Sequence, residues 1–433
     1  MSGKKLLIIT YYWPPSGGVG VQRWLHFACN LKKMGWEPII YTPENPQFEI
    51  LDEKLNDLAK DIQVIKKPIW EPFSFFHKIT GNKNRKEVQQ GVVLEKSKKT
   101  FKDKLFVWIR GNLFIPDARV FWIRPSVDFL SEYIFSNDIG NIITTGPPHS
   151  MHMIGLKLKR KFPDLNWLAD FRDPWSDWDI LQRLQTGGIA MSVHKRFERK
   201  VLESADEAIT VSKRLGLALD QKCERDKPVR VIENGIEAIS FEKAIETDDS
   251  KFVIGYFGML NELRDPEQLW YSLEKLCESD PNFQSKLEIR LGGIVSQSII
   301  SRLKNSSTLK DAVVFLGYIS HEKVFEEYKK CDILLLLLNK SDNAKWILPV
   351  KFFEYLSANK PILTFGPDDS DLGDLLSEYA VGEMMNGNDD EVISKFILAN
   401  FEKSYSTKDG DFEKLLQSNT REHQAKELAA LIH

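Results

Sequence analysis

The sequence predicts an α/β protein made of two Rossmann-like halves, and three observations carry that expectation. Short apolar runs recur at residues 6–10, 38–41, 62–65, 141–145, 167–170, 207–211 and 229–232, then again at 252–257, 287–291, 313–316, 333–338 and 361–365. They are separated by Gly- or Pro-bearing loops and by stretches of helical period, the pattern of repeated βα units around a parallel sheet. At 433 residues the chain is too long for one core. Residues 238–250 lose apolar periodicity and gather Glu242, Glu246, Asp248 and Asp249, which marks a linker. The expected division is an N-terminal domain over 1–237, the linker over 238–250, and a C-terminal domain over 251–410. A polar helical tail with few apolar anchors is expected over 411–433.

The first run enters Tyr11-Tyr-Trp-Pro-Pro-Ser-Gly-Gly-Val-Gly and then a helix. Strand, glycine loop and helix together let backbone N–H groups approach an anion, and Gly17 and Gly18 would remove Cβ atoms from its path. The GxGxxG spacing is absent, so glycines of a tight turn are the plain alternative. The run at 141–145 is followed by Gly146-Pro-Pro-His149-Ser150, with Ser150 expected as a helix N-cap. His149 then stands at the carboxyl end of a strand, where open α/β sheets bind ligands. Asp170, Arg172 and Asp173 leave the next strand at the same edge. They suit either a polyhydroxy substrate or an Arg/Asp network that fixes the loop.

The second half repeats the pattern. Gly258 is expected to open a loop carrying Arg264 and Asp265, while Gly292-Gly293 and Gly317-Tyr318 close two further strands. Three strands ending in glycine suggest backbone kept open for a ligand. The stretch over 333–366 is the most informative: a buried-strand run, a polar loop over 339–345, a helix opened by Pro349, and a second strand. Lys351 and Glu354 share one face of that helix. A cation in the first turn opposes the helix dipole, which points to a phosphate nearby, and a Glu one turn later suits vicinal ribose hydroxyls. The alternative is a surface i,i+3 ion pair.

Charge is nearly balanced, 59 basic against 62 acidic residues, which excludes nucleic-acid binding by bulk electrostatics. Cys29, Cys223, Cys277 and Cys331 lack metal-ligand spacing and read as reduced packing residues of a cytoplasmic protein, with no metal site. The first apolar run is too short for a signal-peptide core, and no apolar stretch reaches the ~20 residues that span a bilayer. Between His77 and Arg110 there are ten Lys or Arg against three acids, bordered by Trp70, Phe73, Phe75, Phe76, Phe114, Phe121 and Trp122. This basic and aromatic insertion, at about 70–122, reads either as a peripheral contact with anionic membrane or as an insertion whose aromatic ends dock on the domain.

Tyr12-Trp-Pro-Pro-Ser-Gly-Gly-Val-Gly, Thr145-Gly-Pro-Pro-His-Ser, Asp170-Phe-Arg-Asp-Pro-Trp, Asn234-Gly-Ile and Pro349-x-Lys-x-x-Glu-Tyr-Leu resemble, in the same order, the retaining glycosyltransferases of family 4. The resemblance spans roughly residues 4–366. It implies a GT-B fold, two Rossmann-like domains facing across a cleft, and transfer with retention from a nucleoside diphosphate sugar to a glycan or lipid-linked glycan in surface polysaccharide biosynthesis. By the same resemblance Gly17 and Gly18 approach the donor diphosphate, Arg264 and Lys351 neutralise it, Glu354 receives the ribose, and backbone near Tyr318 meets the base. It also implies that neither cofactor nor metal is needed. His149, by its place at the end of a strand, is the candidate for a contact to the sugar or acceptor. The sequence departs from the family at Trp346, where a first glutamate commonly stands eight positions before Glu354; Asp342 or Asn343 are its candidate substitutes. A nucleotide-sugar epimerase and a non-catalytic nucleotide-binding relative are the competing readings.

Overall fold

A computed structural model describes residues 4–46, 51–71, 101–237, 250–319, 321–387, 390–403 and 412–432. The core of the basic insertion, residues 72–100, and most of the expected linker, 238–249, lie outside the described residues. The chain forms two compact units, one of residues 1–235 with 420–433 and the other of residues 236–419.

The first unit holds a parallel sheet of β1 (Lys4–Ile9), β2 (Trp36–Pro43), β3 (Gln63–Lys67), β4 (Asn141–Gly146), β5 (Asn166–Phe171), β6 (Glu207–Thr210) and β7 (Arg230–Val231). Their order is β3-β2-β1-β4-β5-β6-β7. Leu6, Leu7, Ile8 and Ile9 are all fully buried, as a strand covered on both faces requires. Helix Val19–Lys33 supplies one cover. Its Val21, Trp24, Leu25, Ala28 and Leu31 recur at helical spacing and are buried together in one core.

The second unit repeats the topology with β8 (Phe252–Leu260), β9 (Leu287–Val295), β10 (Val313–Gly317), β11 (Ile333–Leu337), β12 (Ile362–Phe365) and β13 (Gly382–Met385), in the order β10-β9-β8-β11-β12-β13. All its pairings are parallel. Both sheets therefore reverse strand order beside their first strand, at β1/β4 and at β8/β11. Ligands bind outside the carboxyl ends of strands at such switch points. Among the described residues, no helix is long and apolar enough to cross a membrane.

Two expectations change. Gly258, Gly292 and Gly293 lie inside β8 and β9 rather than ending them. Gly258 pairs with Gly293, and a Cβ on Gly293, whose φ is +101°, would run into the Gly258 backbone. These glycines serve close approach of two strands; of the three expected glycine ends only Gly317 closes its strand. The C-terminal residues are also better anchored than expected. Helix Arg421–Ala429 returns to the first unit and packs on Val19–Lys33, with Ala425, Leu428, Leu431 and Ile432 buried in the core under β1 and β2. Arg421 donates to Gln22 Oε1 at 2.9 Å on the same seam.

Leu428→Ala is expected to cost the first unit ~2–5 kcal/mol, the usual range for a fully buried leucine. Urea denaturation followed by intrinsic fluorescence reads it, and a loss below ~0.5 kcal/mol would show the C-terminal helix to be dispensable.

Candidate functional site

In the first unit the loops after β1, β4 and β5 enclose a cavity of about 330 Å³. Its wall includes Tyr12 and Gly17 from the first loop and Gly20 from the helix that follows it, Pro147, Pro148 and His149 from the second loop, and Arg172, Asp173, Trp175 and Trp178 from the third. Gly17 is half-buried there; Gly18 is exposed, with φ +96° at the N-cap of Val19–Lys33, a conformation that favours glycine.

Asp170 resolves one open alternative. It is fully buried, and its carboxylate accepts from Arg23 Nη2 at 3.1 Å, Trp24 Nε1 at 2.7 Å and Thr145 Oγ1 at 2.9 Å. These donors commit it to structure and correct its expected place in substrate binding. Arg172 is committed in part: Nε donates to Gly146 O at 3.2 Å and Nη2 to Pro147 O at 2.6 Å. Its Nη1 lies against Gly20, where any Cβ would collide with it, so glycine there admits the guanidinium. Asp173 lines the cavity, and burial pushes its carboxyl up from the usual range, against the opposing pull of Arg172.

His149 is 3% exposed and stacks flat on Trp175, with centroids 4.5 Å apart and 1° between planes. Neither ring nitrogen has a hydrogen-bond partner among the described residues. Burial, then the neighbouring His152, hold its pKa well below the ordinary value, so the ring is neutral at physiological pH. Ser150 is the first helical residue rather than the cap. Its N–H and its hydroxyl each donate to Asp117, at 2.8 Å, so a carboxylate from a distant loop satisfies the helix start.

The sequence reading missed His194. This residue lies on the buried face of helix Gly188–Ser204, lines the cavity, and accepts from Trp175 Nε1 at its Nδ1, 3.1 Å away. The available signal was a histidine spaced four residues from Ala190 and from Glu198 on an otherwise charged helix.

In the second unit, loops after β8, β11, β12 and β13 enclose a cleft of about 410 Å³. Arg264 lines it and is braced by Asn339, whose Oδ1 accepts from Nε at 2.7 Å. Lys351 and Glu354 do not line this cleft. Helix Val350–Ser357 buries Phe352, Phe353, Tyr355 and Leu356 and leaves both charges half-buried. The Lys351 ammonium donates to Phe257 O and stands beside Gly258, where a Cβ would displace it. Burial first, with the Arg264 charge adding to it against Glu354, lowers its pKa to about 8. Glu354 accepts from Tyr328 O–H at 3.0 Å.

Three candidates stand apart from the cleft. Tyr318 is 89% exposed, Asp342 is exposed, and Asn343 is buried with Oδ1 accepting from Ser341 Oγ at 2.7 Å. Asp342 and Asn343 belong to a 3-10 turn, Asp342–Trp346, rather than an open loop. Among the described residues, no group of three His, Cys, Asp or Glu is placed to hold a metal.

Replacing Asp170 by Asn is expected to cost ~3–5 kcal/mol, since it strands a fully buried Arg23. A urea titration checks this; unchanged stability with a raised substrate KM would return Asp170 to the binding surface.

Neither a family model nor a curated protein sequence matches the chain. Solved structures do. Alr3699/HepE of Anabaena, in complex with UDP and glucose, superposes with TM-score 0.60 at 13% identity over 99% of this chain and 98% of that one. The lipopolysaccharide outer core galactosyltransferase WaaB, in its apo form, gives 0.62 at 11% identity over 99% and 98%. The N-terminal domain of the Candida albicans trehalose-6-phosphate phosphatase gives 0.65 at 14% over 100% and 97%. At such identities the likeness is one of fold, and the fold of this chain, two parallel-sheet Rossmann-like domains, is that of the GT-B glycosyltransferases.

Proposed function

We propose that the protein is a glycosyltransferase that moves a sugar from a nucleoside diphosphate sugar to a glycan or lipid-linked glycan, with retention, in surface polysaccharide biosynthesis. The observation that carries the donor half is electrostatic. Arg264, on the loop after β8, and Lys351, in the first turn of helix Val350–Ser357, converge on the carboxyl end of β8. Arg264 Nη1 donates to Met259 O at 3.5 Å and Lys351 donates to Phe257 O, and the guanidinium charge adds to burial in lowering the ammonium's pKa. An anion brought between them relieves both charges, and the two cations would supply to a departing diphosphate the positive charge that a metal ion otherwise provides. HepE, of the same fold, has been solved with UDP-glucose, which favours a uridine nucleotide here.

The acceptor is assigned to the first unit's cavity. Its wall combines aromatic and aliphatic surface (Phe114, Trp178, Ile180, Leu181) with His149 and Asp173, a lining suited to a sugar carried on an apolar body. Trp70, Trp108, Leu113 and Phe121, on or beside the segments that line this cavity, are each about half exposed or more. A peripheral contact with an anionic bilayer at the cytoplasmic face would cover them and present a lipid-linked acceptor. Replacing Trp108 and Phe121 with Ser is expected to halve, at least, the fraction that sediments with anionic vesicles; undiminished sedimentation counts against this contact.

The non-catalytic reading is favoured by Trp346, where a carboxylate near the transferred sugar is missing from the family pattern. Such a protein would bind donor yet show neither transfer nor hydrolysis.

The donor site is tested through pH. Because the charged form of Lys351 favours the diphosphate and its pKa is about 8, donor affinity is expected to hold below pH 8. Above it, affinity falls by up to about tenfold per unit, as binding then requires proton uptake. Titration calorimetry with UDP-glucose reads this, and Lys351→Arg should move the alkaline fall upward. Arg264→Ala is expected to lower kcat about thirtyfold, from ~2 kcal/mol of lost leaving-group stabilisation. Donor affinity indifferent to both substitutions would overturn the site.

A further inference from the structure

The place of the hydrogen on His194 follows from a single bond. Trp175 Nε1 can only donate, and from 3.1 Å it donates to His194 Nδ1. Nδ1 is therefore bare. Burial holds this imidazole below its ordinary pKa, against the opposing pull of Asp117, so the ring is neutral at pH 7.5. Its one hydrogen then sits on Nε2. The donor that dictates this is itself fixed: Trp175 is buried, with its ring flat on His149.

His149 and His194 both line the first unit's cavity, and they differ in what they can offer it. Both ring nitrogens of His149 are sealed by their surroundings and unpartnered, so that ring presents its carbon surface. In His194 the Nδ1 atom is spent on Trp175. Its Nε2 has no hydrogen-bond partner among the described residues, yet it is not among the sealed nitrogens. His194 is only 1% exposed and stands in the cavity wall, so a partner for that N–H has to come by way of the cavity. The neighbouring wall of Phe114, Trp178, Leu181 and Leu184 is apolar or aromatic. One oriented donor in such a wall fixes how a ligand lies.

We propose that His194 is a specificity-determining residue of the acceptor site, a neutral imidazole that donates from Nε2 to an oxygen of a sugar carried on an apolar body, with Trp175 as the positioning residue that holds the hydrogen there. A neutral N–H of fixed direction recognises a hydroxyl or ring oxygen without drawing in an anion. Asp173 lines the same cavity and supplies an acceptor oxygen for the hydroxyl's own hydrogen. The contact to the sugar rests on the proposed reading of this cavity as the acceptor site; the tautomer does not.

The test uses the full chain labelled with 15N-histidine at pH 7.5. Two-bond 1H–15N spectra distinguish protonated from bare ring nitrogens, and the His194→Gln variant assigns the signals. Wild type is expected to show His194 with Nε2 protonated and Nδ1 bare. The probes are the octyl α- and β-glycosides of glucose, galactose and mannose, with octyl sulfate as the anionic control. At least one glycoside is expected to move the Nε2 resonance on titration, and octyl sulfate is expected to leave it in place. By calorimetry His194→Phe should weaken that glycoside about tenfold, the worth of one hydrogen bond. His194→Gln, whose amide can accept from Trp175 and donate to the cavity, should largely restore the affinity. Trp175→Phe keeps a ring beneath His149 and removes the indole donor; it is expected to give mixed tautomers at His194, and it serves if His194→Phe fails to fold. Nδ1 protonated in the wild type, no response to any glycoside, or a response to octyl sulfate alone overturns the assignment. So does a folded His194→Phe that binds the glycoside as the wild type does. Binding that depends on His194 in a protein that transfers no sugar upholds the contact and removes the transferase reading.

Discussion

The buried pair between Arg23 and Asp170 is the constraint on which the first domain's cavity depends. Asp170 is the penultimate residue of β5, Arg23 and Trp24 sit in the first turns of helix Val19–Lys33, Thr145 is the penultimate residue of β4, and Arg23 also donates to the Glu233 carbonyl at 2.6 Å. One carboxylate thus ties together the strands and helix that carry all three cavity loops. Taking both charges out of water is unfavourable, and such pairs add little net stability against apolar substitutes. What it supplies is position: with Arg23 (through Nη2 and, at 3.4 Å, Nε), Trp24 and Thr145 all donating to its two oxygens, the glycine loop, the His149 loop and the Arg172 loop have one arrangement.

The second domain uses the same sheet order but a different device. There Gly258 and Gly293 let β8 and β9 draw together, and the room left beside Gly258 is taken by the Lys351 ammonium. A lysine half-buried against a carbonyl, with a guanidinium in electrostatic reach, is poorly compensated. Local costs of this kind cluster at functional sites, where the chain departs from the arrangement that stability alone would favour.

Most strands and their parallel arrangement were readable because parallel strands are apolar throughout, so residues 6–10 or 333–338 announce themselves, whereas the strand order was not. β13 was not: Gly-Glu-Met-Met has neither β-branched residues nor an unbroken apolar run, as an edge strand allows. Asp170, Arg172 and Asp173 were correctly placed at one edge, yet sequence alone could not sort them. Their difference lies in partners 20 to 150 positions away, Arg23, Trp24 and the Gly146 and Pro147 carbonyls, which no local pattern encodes. His194 was missed for the same reason, and Leu428 because the core it joins belongs to the other end of the chain.

The aromatic wall of the first cavity has a further consequence for its chemistry. His149, His152 and His194 are all held below their ordinary pKa chiefly by burial, around Trp175. A cluster of three imidazolium ions would repel both one another and Arg172. As neutral rings they contribute directional N–H and N groups without charge, which suits recognition of hydroxyls. Two cations at the carboxyl edge of the second domain's sheet, Arg264 and Lys351, offer the contrasting kind of surface, one of charge.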